Sequence, residues 1–241
     1  MLQEMERVTA VILAGGLGTR LRSIVADRPK VLVEVQGRPF LAFLLDRLSG
    51  AGIRSVVLCT GYRGEQVRAA FGDAYCDLRL VYSQESSPRG TAGALRLALP
   101  MFESDNVLVL NGDSFCEASL SDFWRWHRVR GAGATMILTQ VSDASRYGRV
   151  HVDAEGRVLR FDEKDGNGGS GWINAGIYLL KREWMQTIPT GHAVSLEREI
   201  FPAWIGQGLY GYQSHGRFID IGIPEAYVAA EQFFSLSETI R

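Results

Sequence analysis

Val8-Thr-Ala-Val-Ile-Leu-Ala-Gly-Gly-Leu-Gly-Thr-Arg-Leu21 is the stretch on which the reading of this chain turns. Val8 to Ala14 is apolar and β-branched apart from Thr9, and it runs straight into glycines, which predicts a buried parallel strand. Gly15, Gly16 and Gly18 would then expose successive backbone N–H groups, and glycine lets a phosphate approach the main chain closely. No Gly-Lys-Ser/Thr follows, so this is not a P-loop. Thr19-Arg20 stands where a dinucleotide fingerprint needs its helix-packing glycine. Arg20, with Pro29-Lys30 further on, adds two cations beside the loop, which suits a triphosphate better than a dinucleotide. The bland alternative is a tight turn between strand and helix.

Moving outward, the first half alternates strand and helix. A helix is expected over Phe40 to Ser49, stopped by Gly50 and Gly52, then a buried strand over Ser55 to Thr60 and an amphipathic stretch from Gly64 to Phe71. A third strand is expected over Leu78 to Ser83, a helix over Thr91 to Leu99 closed by Pro100, and a fourth strand from Asn106 to Leu110. That alternation predicts an α/β fold with a doubly wound, mostly parallel sheet of the Rossmann-like kind, its ligands at the carboxyl ends of the strands. Beyond it, strands are expected over Ala134 to Val141, Arg149 to Asp153, Val158 to Phe161 and Ile173 to Leu180. Asp165 to Gly171 reads as a glycine-rich loop, and Ile223 to Phe234 as a closing helix with Pro224 in its first turn. No linker, repeat or composition break appears, so residues 1–241 are read as one domain. Residues 8–133 would form a nucleotide-binding half and 134–234 a sugar-phosphate-binding half.

The bulk numbers exclude some classes. A net charge of −1 offers no field to draw in nucleic acid or an anionic membrane. No apolar run is long enough to span a bilayer, and the polar start predicts no secretory leader. Cys59, Cys76 and Cys116 lie far apart without metal-binding spacing, as do the four histidines, and read as thiols of a reducing cytoplasm. Only Lys30, Lys164 and Lys181 among the 26 basic residues are lysine. Against an arginine-rich background, a lysine marks a position that needs a compact point charge.

Gly16-Leu-Gly-Thr-Arg20 followed by Pro29-Lys30 resembles the signature of the sugar nucleotidyltransferases, the pyrophosphorylases that make nucleotide sugars. Pro88 to Ala94, Leu110-Asn-Gly-Asp113, Arg146-Tyr-Gly148, Phe161-Asp-Glu-Lys164, Ile173 to Tyr178 and Phe218-Ile-Asp-Ile-Gly222 match in the same order. The resemblance implies that Leu13, Ala14, Gly15, Gly16, Gly18, Thr19, Gly90 and Thr91 hold a nucleoside triphosphate. It makes Arg20, Lys30 and Asp113 catalytic, and Asp113 and Asp220 the ligands of Mg²⁺. Two carboxylates plus phosphate oxygens and water is how proteins usually hold that ion. Each aspartate stands in an apolar context, where a lone carboxylate is costly unless it binds something. The plain alternatives are an N-cap for Asp113 and an ion pair with Arg217 for Asp220.

By the same resemblance Glu163 binds sugar hydroxyls and Lys164 the sugar's phosphate, with Tyr147, Gly148, Asn174 and Gly176 facing the sugar. The family's Glu-Lys pair is often followed by proline, whereas Asp165 follows here. Glu85 lines up with the glutamate of members that use GTP, and of some that use UTP, and its carboxylate could take both N1–H and N2–H₂ of guanine. Gln84 could instead pair with uracil or thymine, because an amide both donates and accepts. Among subfamilies, the short single domain most resembles the guanylyltransferases acting on D-glycero-α-D-manno-heptose 1-phosphate. Its substrates would be GTP, or another nucleoside triphosphate, and a sugar 1-phosphate, with homo-oligomerisation left open. A glycosyltransferase would carry an Asp-x-Asp motif, and Asn111-Gly-Asp113 is not one. A nucleotide-sensing domain that had lost its chemistry would lack Arg20, Lys30 or an aspartate, and all are present.

Overall fold

The computed structural model describes residues 5–16, 28–162 and 169–238. Strand β1 (Thr9–Ala14) carries its burial on both faces, as its unbroken apolar sequence requires. Val11 belongs to one core cluster, with partly buried Leu13 packed against it, and Ala10, Ile12 and Ala14 to the other. Side chains alternate across a strand, so both faces of the sheet must be covered by other elements.

One face is covered by α1 (Phe40–Gly50), which buries Phe40, Leu41, Leu44, Leu45 and Leu48, and by Phe123 of α4 (Leu120–Arg130). Ala230 and Phe234 of the closing helix α7 (Pro224–Glu238) join the same cluster. On the other face lie Ala92, Leu95 and Ala98 of α3 (Gly90–Ala98). Two short helices, α5 (Arg182–Gln186) and α6 (Phe201–Trp204), add Met185, Phe201 and Trp204 there. The smaller α2 (Gly64–Phe71) buries Val67 against the first cluster.

The sheet has eight strands. Besides β1 they are β4 (Ser55–Thr60), β5 (Ala74–Tyr75), β6 (Leu78–Gln84), β7 (Asn106–Asn111), β9 (Ala134–Val141), β12 (Gly171–Lys181) and β13 (Leu209–Ser214), in the order β13-β9-β12-β7-β1-β4-β6-β5. Only β5 and β12 run against the rest, so the expectation of a mostly parallel, doubly wound sheet holds. The chain winds from β1 outward to β4 and β6, then returns past β1 to β7. That reversal opens a crevice at the carboxyl ends of β1 and β7, where doubly wound sheets bind their ligands.

Three two-stranded ribbons complete the fold: β2 (Glu34–Val35) with β3 (Arg38–Pro39), β8 (Ser114–Cys116) with β14 (Phe218–Asp220), and β10 (Val150–Val152) with β11 (Val158–Phe161). The sequence reading had no place for β8, β13, β14 or α4. Helix α4 is mostly polar, but it is capped by Ser119, which accepts from the Asp122 amide, and closed by Gly131 in the left-handed region.

Candidate active site

At the crevice, β1 gives way to Gly15 and Gly16, and β7 to Gly112 and Asp113. The Gly112 amide donates to Leu13 O at 3.0 Å, locking the two strand ends together. A Cβ on Gly112 would stand 2.6 Å from that carbonyl, so the close approach requires glycine. The cavity opening here has a volume of about 430 Å³. Of the expected nucleotide-side residues, Leu13, Ala14, Gly15, Gly16, Lys30, Glu85, Gly90, Thr91 and Asp113 all line it. Gly18, Thr19 and Arg20 lie outside the described residues, as do Glu163 and Lys164.

Asp113 and Asp220 come together through the β8–β14 ribbon. Its register sets Asp220 opposite Ser114, the residue after Asp113, and the Ile221 amide donates to Asp113 O at 2.9 Å. Lys30, on the turn Lys30–Leu32 that follows Pro29, reaches between them. Its Nζ donates to Asp113 Oδ2 at 2.6 Å and lies 3.8 Å from Asp220 Oδ1. The side chains of Asp113 and Asp220 are 43% and 29% exposed. The apolar sequence around each aspartate suggests more burial than is found: they stand at the mouth of a cleft, where strand ends meet solvent.

Burial pushes the Asp220 carboxyl above the usual carboxylate range, and the like charge of Asp113 adds to this; Lys30, the Gly222 amide and Arg146 pull it back. Neither plain alternative for these aspartates matches the geometry. Arg217 pairs with Glu117 at 2.5 Å, and Asp113 leads into a strand instead of capping a helix.

These residues fit a magnesium ion. The donors are hard oxygens, and Asp220 is held partly buried beside a like charge that a cation would relieve. Among the described residues no third carboxylate, histidine or cysteine joins them, so phosphate oxygens and water would complete the shell.

Glu85 follows the last residue of β6 and turns inward. Its amide donates to Thr60 O at 2.9 Å, and its Oε2 accepts from the Arg89 amide at 3.1 Å. Burial raises its carboxyl and the Arg89 amide partly restores it. Gly61 and Gly15 lie against Glu85, where a Cβ would come within 2.8 and 3.0 Å of Oε1. Gln84 goes elsewhere. As the final residue of β6 it faces a separate recess with Tyr82, Thr60 and Arg68, so neighbouring residues of one strand end are divided between two cavities.

The second half of the chain closes over the aspartates. Tyr147 packs edge-on against Phe218, with ring centroids 5.7 Å apart, and its hydroxyl is raised by burial and partly by the charge of Asp220. Gly148 takes φ +75°. Asn174 accepts from the Gly176 amide at 2.9 Å and donates to the Tyr178 hydroxyl at 2.9 Å. Gly176, at φ +74°, has Ser114 Oγ 2.6 Å from the place a Cβ would take, which brings this segment directly against the Asp113 turn.

Sequence reasoning missed three residues here. Asn111 lines the cavity with a buried Oδ1 that has no partner among the described residues. Arg146 bears on Asp220. Glu197 accepts from Thr91 at 2.9 Å and from Tyr178 at 3.2 Å, tying α3 to β12. Asn111 and Arg146 stand inside motifs already singled out. Nothing in local periodicity marks Glu197.

The doubly wound sheet, the glycine-lined crevice and the paired aspartates define a nucleotidyltransferase, and the chain belongs to the family described as Nucleotidyl transferase, which it matches over residues 9–236. It is 38% identical over 226 residues to the mannose-1-phosphate guanylyltransferase of Mycobacterium tuberculosis, covering 92% of this chain and 63% of that protein. It is 34% identical over 224 residues to the D-glycero-α-D-manno-heptose 1-phosphate guanylyltransferase of Aneurinibacillus thermoaerophilus, covering 92% and 96%. Among solved structures it resembles HddC from Yersinia pseudotuberculosis, with a TM-score of 0.85, 32% identity, and coverage of 94% of this chain and 99% of that one. HddC has also been solved in complex with GMP-PN. The chain thus spans less than two thirds of the mannose-1-phosphate enzyme and nearly all of the heptose one. Among the described residues no helix is long and apolar enough to cross a membrane.

Proposed function

We propose that this chain transfers a guanylyl group from GTP to a sugar 1-phosphate, D-glycero-α-D-manno-heptose 1-phosphate in the first instance, forming a GDP-sugar and pyrophosphate. The observation that carries the reading is Lys30 held between Asp113 and Asp220 in a glycine-lined cavity that Glu85 shares. Residues 8–133 would bind the nucleotide and 134–234 the sugar phosphate. The length match to the heptose enzyme and the guanine nucleotide held by HddC support the choice of substrates. Mannose 1-phosphate is the second acceptor to consider, on the identity to the mycobacterial enzyme.

The chemistry is a single in-line displacement. An oxygen of the sugar 1-phosphate forms a bond to the α-phosphorus of GTP as the bond from that phosphorus to the β-phosphate oxygen breaks, and pyrophosphate departs on the opposite side. No protein nucleophile is needed, so catalysis rests on positioning and charge. Magnesium bound by Asp113 and Asp220 would supply positive charge to phosphate oxygens. Lys30 leaves its carboxylate partners to hold the α-phosphate. Glu85 accepts from N1–H and N2–H₂ of guanine. By family resemblance Arg20 holds the departing pyrophosphate, Lys164 the incoming phosphate and Glu163 the sugar hydroxyls, while Tyr147, Gly148, Asn174 and Gly176 shape the sugar's wall.

The test is pyrophosphate release across a matrix of GTP, UTP and dTTP against heptose, mannose and glucose 1-phosphates. GTP with the heptose should give the highest kcat/KM. Preference for UTP or dTTP would overturn the guanylyl assignment, and no release with any pair would overturn the reaction.

A further inference from the structure

On the far side of the α3 N-terminus from the nucleotide cavity lies a second recess, of about 260 Å³, lined by Arg89, Arg96, His192 and the Pro189–Gly191 turn. Its chemistry is one-sided. Arg96 has no carboxylate partner among the described residues, and Arg89 makes no ion pair there, although its charge acts on Glu85; most other arginines of the fold are paired with a carboxylate or stacked on a ring. The Nε–H of each is buried with no acceptor. A buried guanidinium donor left unmade is costly.

The walls are built. Val194 O accepts from the Ala92 and Gly93 amides at 3.0 and 3.3 Å, and the Val194 amide donates to Arg89 O at 2.8 Å. The segment is thereby fixed against α3, and Gly90 lets it come close, since a Cβ there would stand 2.8 Å from Val194 C. Two arginines and a histidine lining one small space suit a tetrahedral oxyanion, because arginine presents several donors in a fixed plane. Arg89 is also tied to the active site through its main chain, as its amide donates to Glu85 Oε2 at 3.1 Å.

We propose that this recess is a binding site for a phosphate group, distinct from the nucleotide cavity and taking either inorganic phosphate or a small phosphate monoester. The experiment is isothermal titration of inorganic phosphate into the nucleotide-free full chain in EDTA, with the His192 ring resonances followed by NMR through the same titration. Saturable binding is expected, with a shift of the His192 resonances that tracks it, and both should persist in Lys30→Met, whose nucleotide cavity has lost a cation. Arg96→Gln and His192→Gln should each weaken this binding about tenfold or more, as loss of a charge-assisted contact does, while turnover stays at the wild-type level. Glycerol 3-phosphate separates the two sources: binding at least as tight as that of phosphate assigns a monoester, and binding only of phosphate assigns the free ion. His192 resonances that do not move at saturation, or phosphate affinity unchanged in Arg96→Gln, would overturn the proposal. The NMR readout needs no variant, so a substitution that failed to fold would not protect it.

Discussion

Replacing Lys30 by methionine removes one positive charge from between two carboxylates and keeps most of the side-chain volume. Because Asp113 is 43% exposed, water-like screening is the fair choice. Contacts at 2.6 and 3.8 Å are then worth about 1.6 and about 1.1 kcal/mol. Part is returned, since the ammonium is only 12% exposed and its desolvation cost disappears with it. A net loss of about 1–2 kcal/mol follows, or roughly 2–8 °C in the Tm of a domain this size. Calorimetry of metal-free protein measures it. Repeating the scan with Mg²⁺ adds a sharper test, because the variant presents two unbalanced carboxylates and the ion no longer competes with an ammonium. Mg²⁺ should therefore raise the variant's Tm by more than the wild type's. Turnover should fall by about 10²-fold or more, since the α-phosphate loses its cation. An unchanged Tm with an equal Mg²⁺ response, or turnover within a few-fold of wild type, would refute the reasoning.

Glu85→Gln should flatten the preference for GTP, costing roughly ten- to a hundredfold in kcat/KM for GTP and much less for UTP; equal losses for both nucleotides would contradict base reading by Glu85. Asp220→Asn should abolish turnover yet raise the Tm of metal-free protein at neutral pH. The Asp220 carboxyl titrates higher in the folded protein than in the unfolded chain, so its contribution to stability is complete below the unfolded value and is lost as pH rises through the folded one. The wild-type-minus-variant difference in Tm should accordingly become more negative from about pH 4 upward, and a difference that stays flat with pH would rule this out.

The parallel half of the fold was legible because its signals are local. Val8 to Ala14, Ser55 to Thr60 and Asn106 to Leu110 are apolar runs that end in glycine or polar turns, and β1, β4 and β7 lie within one or two residues of those limits. The β8–β14 ribbon was not legible. Each strand has three residues, too few to show a period, and their pairing is a long-range choice that no window contains. Yet this ribbon sets Asp220 beside Asp113, so sequence could nominate both aspartates and still not show what joins them. The separation of Glu85 from Gln84 escaped for a related reason. Neighbours on a strand face opposite sides, but which side holds the nucleotide depends on where the chain reverses between β1 and β7. Lys30 was singled out by composition, as a lysine among arginines, and the structure adds that it rests on the two carboxylates.

The central claim is that a guanylyl group moves from GTP to a sugar phosphate at Asp113 and Asp220, and ³¹P NMR of one reaction mixture tests it most directly. With GTP, D-glycero-α-D-manno-heptose 1-phosphate and Mg²⁺, the three GTP resonances should decline together. Pyrophosphate and the paired diphosphate signals of a GDP-sugar should rise in equal amounts. EDTA or Asp113→Ala should stop the change, with the variant's melting transition retained. Intact GTP with every sugar 1-phosphate, or GDP and orthophosphate without a GDP-sugar, would contradict the account.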